Sequence, residues 1–395
     1  MTHKKRILMV APTPYFSDRG CHVQIFEVAR SQQLQGNEVV IVTYHLGKTI
    51  GNIPTFRIPN IPWYRKVTAG PSWHKLYLDL MLMALTLRIA YRYRPHIIHA
   101  HLHEGAAIAL PLARLLKIPL LLDLQGSLTG ELVNHQFIKP NSQLYRLVQF
   151  IEHQIHAHVD GMLMWNYLSE SLHSLFAFDS SKVFPVDYGV DLDRFRPHPK
   201  ASVRDLAAQL KLPPDAQVVV FLGLLNSYQG VDVLIEAIPR VLEACPRTHF
   251  LIMGYPNEDF YRAKAMGLGI IDQVSFPGRI DYEQASRYLS LGDVAVSAKM
   301  TTMEGNGKLL NYLACGLPTV AFDLPGNIAT LGELGQFAPL GDSQALANQI
   351  IALLQDAPRR NELAQQSRQL AEQRYSWRVI GAEIDHIYDT LIARK

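Results

Sequence analysis

Residues 297–323 read SAKMTTMEGNGKLLNYLACGLPTVAFD. A short apolar run ends near Ala298, and a loop of small and polar residues follows. Gly305 and Gly307 open a helix, Gly316 closes it, and Pro318 starts a second apolar run that ends at Asp323. A glycine just past a helix end, with a proline shortly after it, is how helices commonly stop. A strand, a helix and a strand in that order, both strands apolar throughout, predict a parallel pair with its crossover helix, buried on both faces. The same grammar runs outward on both sides. Apolar runs at 218–223, 248–254, 273–276, 293–298 and 318–323 form one series. Runs at 6–11, 38–44, 96–101, 119–124, 161–165 and 182–186 form another, and the polar stretch 194–200 lies between the two. The expectation is an α/β protein of two domains, which also suits 395 residues, more than twice the usual size of one.

Composition narrows the function. Hydrophobic residues make up 48% and charged residues 18%, enough apolar material for large cores. The 38 Lys and Arg against 35 Asp and Glu leave only +3, which argues against nucleic acid as a partner. Cys21, Cys245 and Cys315 are far apart and show no zinc spacing, so a reducing, cytoplasmic location is expected. Basic residues at the start precede only about seven apolar ones before Pro12 and Pro14, which is too short for an export signal. The greasiest stretch, 76–91, is interrupted by Asp79 and Arg88 and falls short of the roughly 20 residues a membrane-spanning helix needs.

In open parallel sheets ligands sit beyond the carboxyl ends of the strands. The segments expected there are Asp18-Arg19-Gly20, Gln125-Gly126-Ser127 and Glu304-Gly305-Asn306-Gly307. Amides at a helix start carry partial positive charge and suit a phosphate, and Lys308 in the first turn adds a full charge. The plain alternative is a glycine-rich helix entry with no ligand.

These residues, with others in a fixed order along the chain, carry a resemblance. The matching features are the segment 314–321 (ACGLPTVA), the run 6–11 with Gly20, His99-Ala100-His101, and Tyr188-Gly189-Val190-Asp191 with Arg194 and Phe195. The stretch 223–230 before a helix, 274–278, Leu340-Gly341-Asp342 and Tyr375-Ser376-Trp377 complete the set. Together they resemble the family 4 retaining glycosyltransferases, glycosyltransferase group 1, over nearly the whole chain. The resemblance implies the GT-B fold, two Rossmann-like domains whose parallel sheets face across a cleft. It places an acceptor-side domain at 1–190, a donor-binding domain at 191–374 and a C-terminal helix, 375–395, crossing back to the first.

What the resemblance implies chemically is transfer of a sugar from a nucleotide-diphosphate sugar to a glycan or lipid-linked acceptor, without a metal or other cofactor. Glu304, Lys308 and Gln125 fall at catalytic positions. Gly20, Gly223, Arg279, Lys299, Gly305, Asn306, Gly307 and Asn311 fall on the donor side, and Asp123, Ser127 and Glu131 on the acceptor side. The chain departs from the family where the donor is held. Leu224 and Gln229 stand where an Arg and a Lys usually clamp the diphosphate, Asn311 replaces the second glutamate seven residues after Glu304, and Gln125 replaces a histidine. Lys299 and Lys308 flank the Glu304 loop and can supply the missing charge. Asp191-Leu192-Asp193 imitates a metal-binding pair, with ordering of the turn as its plainer role.

Residues 57–94 hold seven cations, Arg57, Arg65, Lys66, Lys75, Arg88, Arg92 and Arg94, against Asp79 alone. Trp63, Tyr64 and Trp73 are interleaved among them, a composition suited to a headgroup layer. Residues 57–75 are therefore an expected peripheral contact with the anionic inner face of a membrane, a lid over the acceptor being the alternative. Two other functions fit the fold: a sugar-nucleotide-binding or membrane-docked accessory protein with weakened catalysis, and an epimerase of sugar nucleotides.

Overall fold

A computed structural model of the chain describes residues 4–16, 20–67, 72–134, 137–166, 179–301 and 306–395. Two compact units are present, Met1–Tyr188 together with Trp377–Lys395, and Gly189–Ser376. In the first, β1 (Arg6–Ala11), α1 (Gly20–Leu34), β2 (Glu38–Thr43), β3 (Thr55–Arg57), α2 (Lys75–Tyr93), β4 (Ile97–His101) and α3 (Leu102–Leu116) come in that order. They are followed by β5 (Leu120–Leu124), α4 (Leu128–Asn134), α5 (Gln143–His158), β6 (Gly161–Trp165) and β7 (Val183–Val186). The sheet order is β3-β2-β1-β4-β5-β6-β7, every pair parallel. Leu8 lies opposite Val40 on one side and Ile98 on the other. Strands β4, β5 and β6 are buried along their whole length, as strands covered on both faces must be.

The second unit contains α6 (Arg204–Gln209), β8 (Gln217–Leu222), α7 (Val231–Ala244), β9 (Thr248–Met253), α8 (Glu258–Gly267), β10 (Val274–Gly278) and α9 (Ala285–Leu289). Then come β11 (Val294–Ser297), α10 (Lys308–Ala314), β12 (Thr319–Phe322), α11 (Pro325–Leu331), β13 (Gly335–Ala338), α12 (Ser343–Gln355) and α13 (Ala357–Leu370). Its sheet runs β10-β9-β8-β11-β12-β13, again wholly parallel. Strands β3 and β13 were not among the expected runs. Both are edge strands of three or four residues with few buried side chains, so neither shows a continuous apolar signal.

The last helix, α14 (Trp377–Ala393), belongs to the first unit. Ile380, Ile384, Ile387 and Leu391, three or four residues apart, form its buried face. Each such side chain is worth roughly 1.5–3 kcal/mol in burial. Gly381 meets α1 so closely that a Cβ would lie 2.7 Å from Cβ of Ser31. Lys5 clamps the helix from β1's side by reaching Asp385 and Asp389, each at 2.9 Å.

Candidate functional site

The carboxyl ends of the second unit's strands are drawn together by glycines. A Cβ on Gly254, after β9, would lie 1.7 Å from the carbonyl oxygen of Gly223, after β8. Gly230, which starts α7 at φ +71°, would put a Cβ 1.7 Å from the carbonyl oxygen of Ala298. Neither position admits another residue without moving backbone. The exit of β8 is thereby pressed against those of β9 and β11, and Met300 N donates to Tyr228 O at 2.9 Å across the same seam. Asn306 ties in α11 by donating from Nδ2 to Ser297 Oγ at 2.9 Å and Asn327 Oδ1 at 2.7 Å.

Lys308 projects into this seam. Its Nζ donates to Gln229 Oε1 at 2.6 Å and lies 4.4 Å above the Phe221 ring. A Cβ on Gly223 would stand 2.8 Å from that Nζ, so the glycine leaves the ammonium its place beside the β8 exit. Burial, and secondarily the charge of Lys299, push Lys308 down to about 7. No carboxylate among the described residues pairs with Lys308. A cation held by a neutral amide and a ring is suited to an anion. Lys299, the other lysine expected on the donor side, is 1% exposed. Arg279 lies 5.2 Å over the Tyr255 ring, both groups exposed, at the ends of β10 and β9. Together they form an aromatic and cationic ledge.

The first unit's carboxyl edge is wired differently. Asp123, at the end of β5 and wholly buried, accepts from His101 Nδ1 at 2.7 Å, Gln125 Nε2 at 2.9 Å and Trp165 Nε1 at 2.6 Å. Burial is the largest single influence and opposes its charge, but His101, His99 and Gln125 together outweigh it and hold the carboxyl below its usual range. His99 stacks on His101 with centroids 4.6 Å apart, and its Nδ1 pairs with Tyr388 OH at 2.6 Å. Burial pushes His99 down to about 3, so it is neutral.

A second buried group centres on Glu152 of α5. Its carboxylate accepts from the amides of Leu128 and Thr129 at 2.9 and 3.1 Å, and from Thr129 Oγ1 at 2.6 Å, which fixes the start of α4. His103 Nε2 lies 3.3 Å from it and 2.8 Å from His156 Nε2. Burial lowers both imidazoles to about 4. Each trio, His99 with His101 and Asp123, and His103 with Glu152 and His156, has its ligand atoms close enough to surround a cation. Both carboxylates already accept hydrogen bonds from the protein and so build polar networks without an ion, while Nε2 of His99 and of His101 is buried with no partner among the described residues.

Several expected residues are placed differently from their sequence reading. Asp123, expected on the acceptor side, has no surface to offer an acceptor, because the side chains of His101, Gln125 and Trp165 enclose it. Ser127 Oγ accepts from Gly130 N at 3.0 Å within α4, while Glu131 is exposed. Gln125 donates to Asp123, and its Oε1 is buried without a partner. Asp191 Oδ1 accepts from the amides of Asp193 and Arg194 at 3.0 and 3.2 Å and so orders that turn. Gly20 begins α1, and Asn311, partly buried, lies in α10. Glu304, Gly305, Asp18 and Arg19 lie outside the described residues. Of the expected membrane cations, Arg57 donates to the carbonyls of Tyr15, Tyr44, Leu46 and Lys48, and Lys75 grips both oxygens of Glu104 at 2.8 Å. Both therefore serve the fold. His103, Glu152, His156 and Trp165 were missed, and only the alternating His99 and His101 gave any sign of these networks.

Two family models match the chain, "Glycosyl transferase 4-like domain" over residues 19–166 and "Glycosyl transferases group 1" over residues 216–356. A phosphatidyl-myo-inositol mannosyltransferase of Mycobacterium leprae is 29% identical over 53% of this chain and 54% of its own, so that match spans about half of the relative's length. A D-inositol 3-phosphate glycosyltransferase of Jonesia denitrificans is 26% identical over 94% of this chain and 91% of its own. Among solved structures, Anabaena HepE in complex with UDP superimposes with a TM-score of 0.76 at 17% identity, over 98% of this chain and all of its own. Two parallel six- and seven-stranded sheets, the likeness to solved GT-B structures and both family models agree, and the chain belongs to the glycosyltransferase group 1 family.

Proposed function

We propose that the chain transfers a sugar from a nucleotide-diphosphate sugar to an acceptor hydroxyl with retention of configuration and without a metal. The observation that carries this reading is Lys308, a cation with a neutral partner at the carboxyl edge of the second unit's sheet. Its ammonium sits beside Gln229, the position at which the family's lysine is replaced, so a charge lost at 229 returns from 308. Lys299 adds to the field, and the Arg279–Tyr255 ledge suits a nucleotide base.

In the proposed reaction the bond from the anomeric carbon to the diphosphate breaks as the acceptor oxygen bonds to that carbon on the same face. The acceptor proton passes to the departing phosphate oxygen. Lys308 stabilises the charge that develops on the diphosphate, work of electrostatic preorganisation rather than covalent catalysis. Glu304 would hold sugar hydroxyls and Asn311 the ribose. The names of the two inositol-directed relatives favour an acceptor built on an inositol ring, free or in a lipid.

The test is release of UDP or GDP from a panel of nucleotide sugars, with inositol, inositol phosphate and phosphatidylinositol as acceptors. Acceptor-dependent release that survives EDTA supports the reading. Tight nucleotide binding with no release under any pairing would favour the accessory protein instead, a role suited to Gln125 locked on Asp123.

A further inference from the structure

Helices α2, α3 and α5 pack side by side with α3 in the middle. Along α2 and the residue pair before it, Trp73, Leu76, Leu80, Ala84, Leu87 and Tyr91 are all exposed and recur every three or four residues, one unbroken stripe. Leu76 is 67% and Tyr91 75% exposed. The stripe is roughly 27 Å long at 1.5 Å per residue. On the helices packed beside it, Leu115 of α3, 70% exposed, and Leu144, Leu147, Phe150 and Ile151 of α5 are exposed as well. Isolated exposed leucines need no explanation, but an apolar stripe along one helix with further exposed apolar side chains on the two helices packed next to it marks a contact surface.

The charges on the same helices identify the occupant. Arg88, Arg92, Arg114 and Arg146 are exposed. The three helices contain three carboxylates, and each is turned to the interior: Asp79 accepts from Tyr44 OH, Glu104 pairs with Lys75, and Glu152 is wholly buried. The outward face is thus apolar and cationic with no acid. A second copy related by a two-fold axis would set these arginines against themselves, with no carboxylate to separate them. We propose that the outer face of α2, α3 and α5 docks on an anionic lipid membrane, which supplies apolar volume and negative charge together. The surface extends beyond the 57–75 segment, and Arg88, Arg92, Arg114 and Arg146 make no ion pair among the described residues, whereas Arg57 and Lys75 are held by the fold. The proposal is independent of the transfer reading.

Cosedimentation of the full chain with vesicles of phosphatidylglycerol in phosphatidylcholine, and with phosphatidylcholine alone, tests it. Each cation near an anionic leaflet is worth roughly fivefold in partitioning, so the mixed vesicles should carry down at least about tenfold more protein. That preference should collapse as salt shortens the Debye length from ~10 Å at 0.1 M to ~3 Å at 1 M. Leu80→Glu combined with Leu147→Glu, at exposed positions, should reduce binding about tenfold with unchanged melting. Arg88→Glu with Arg92→Glu should remove much of the salt-sensitive part. Absence of wild-type binding, or undiminished binding by the double leucine variant, would overturn the proposal. So would loss of binding only on Arg65→Ser with Lys66→Ser, which moves the contact to the loop. A dimer in sedimentation velocity that the leucine variant dissolves would make a second copy the occupant.

Discussion

The two units share one plan, a parallel sheet whose carboxyl edge collects polar groups, yet they treat buried charge in opposite ways. In the first, Asp123 and Glu152 each accept three or more hydrogen bonds from surrounding donors. In the second, Lys308 is held by an amide oxygen and an aromatic face, with another lysine nearby and no described carboxylate to balance it. A buried anion enclosed by its donors fixes structure, whereas a buried cation without a described carboxylate keeps charge for a ligand. On the proposed reading, the difference separates the edge that stabilises the fold from the edge that binds the donor.

The comparison breaks most visibly at Asp123. Asp123→Ala strips a buried network of its only anion and leaves the donors of His101, Gln125 and Trp165 unpaired. The expected loss is about 3–5 kcal/mol of stability, read as a lower denaturant midpoint. A variant as stable as the parent would mean that the network does not hold the fold.

Lys308→Met should act the other way round. Turnover should fall roughly tenfold or more, the value of one charge-assisted contact of about 1.5–3 kcal/mol. Stability should rise. Because its folded value, about 7, lies below the ordinary 10.5, the unfolded chain binds the proton more readily. The destabilisation is complete below pH 7 and fades as pH rises from 7 toward 10.5. A variant that loses both activity and stability would make Lys308 a structural residue.

The histidines of the first unit sharpen the contrast on the acid side. His99, His103 and His156 are lowered from 6.5 to about 3, 4 and 4, so the unfolded chain takes up protons that the folded one refuses. Stability should therefore be intact above pH 6.5 and decline as pH falls toward 4. Melting temperature followed across that window, with His103→Gln as the comparison, would show a shallower decline in the variant. The smallest expected effect is that of Gly223→Ala, whose methyl would crowd Lys308 Nζ and displace a flexible side chain rather than backbone. Nucleotide affinity should drop severalfold with melting unchanged, and an unaltered affinity would place the phosphate elsewhere.

Buried strands were readable because apolar runs are local. Residues 161–165 and 6–11 coincide with β6 and β1, and the helix after Gly305 and Gly307 starts at Lys308. Networks were not readable, since their members are distant in sequence. His101 meets Asp123 22 residues on, Trp165 lies 42 beyond that, and Tyr388 is 289 residues from His99. Lys308 was a candidate from its place in the motif, but its approach to Gln229 spans 79 residues and appears only when β8 and β11 are neighbours. Arg57 and Lys75 misled for the same reason. A cation on a loop reads as solvated until the carbonyls or the carboxylate that hold it are brought near by the fold.

The central claim is that the second unit's edge holds a nucleotide diphosphate through the Lys308 ammonium. Calorimetric titration with UDP and GDP, below and above pH 7 and in buffers of different ionisation enthalpy, tests it directly. The account predicts binding that takes up a proton above pH 7, weakens as pH rises, and drops about tenfold or more in Lys308→Met. Binding that is independent of pH and equal in the variant would contradict it.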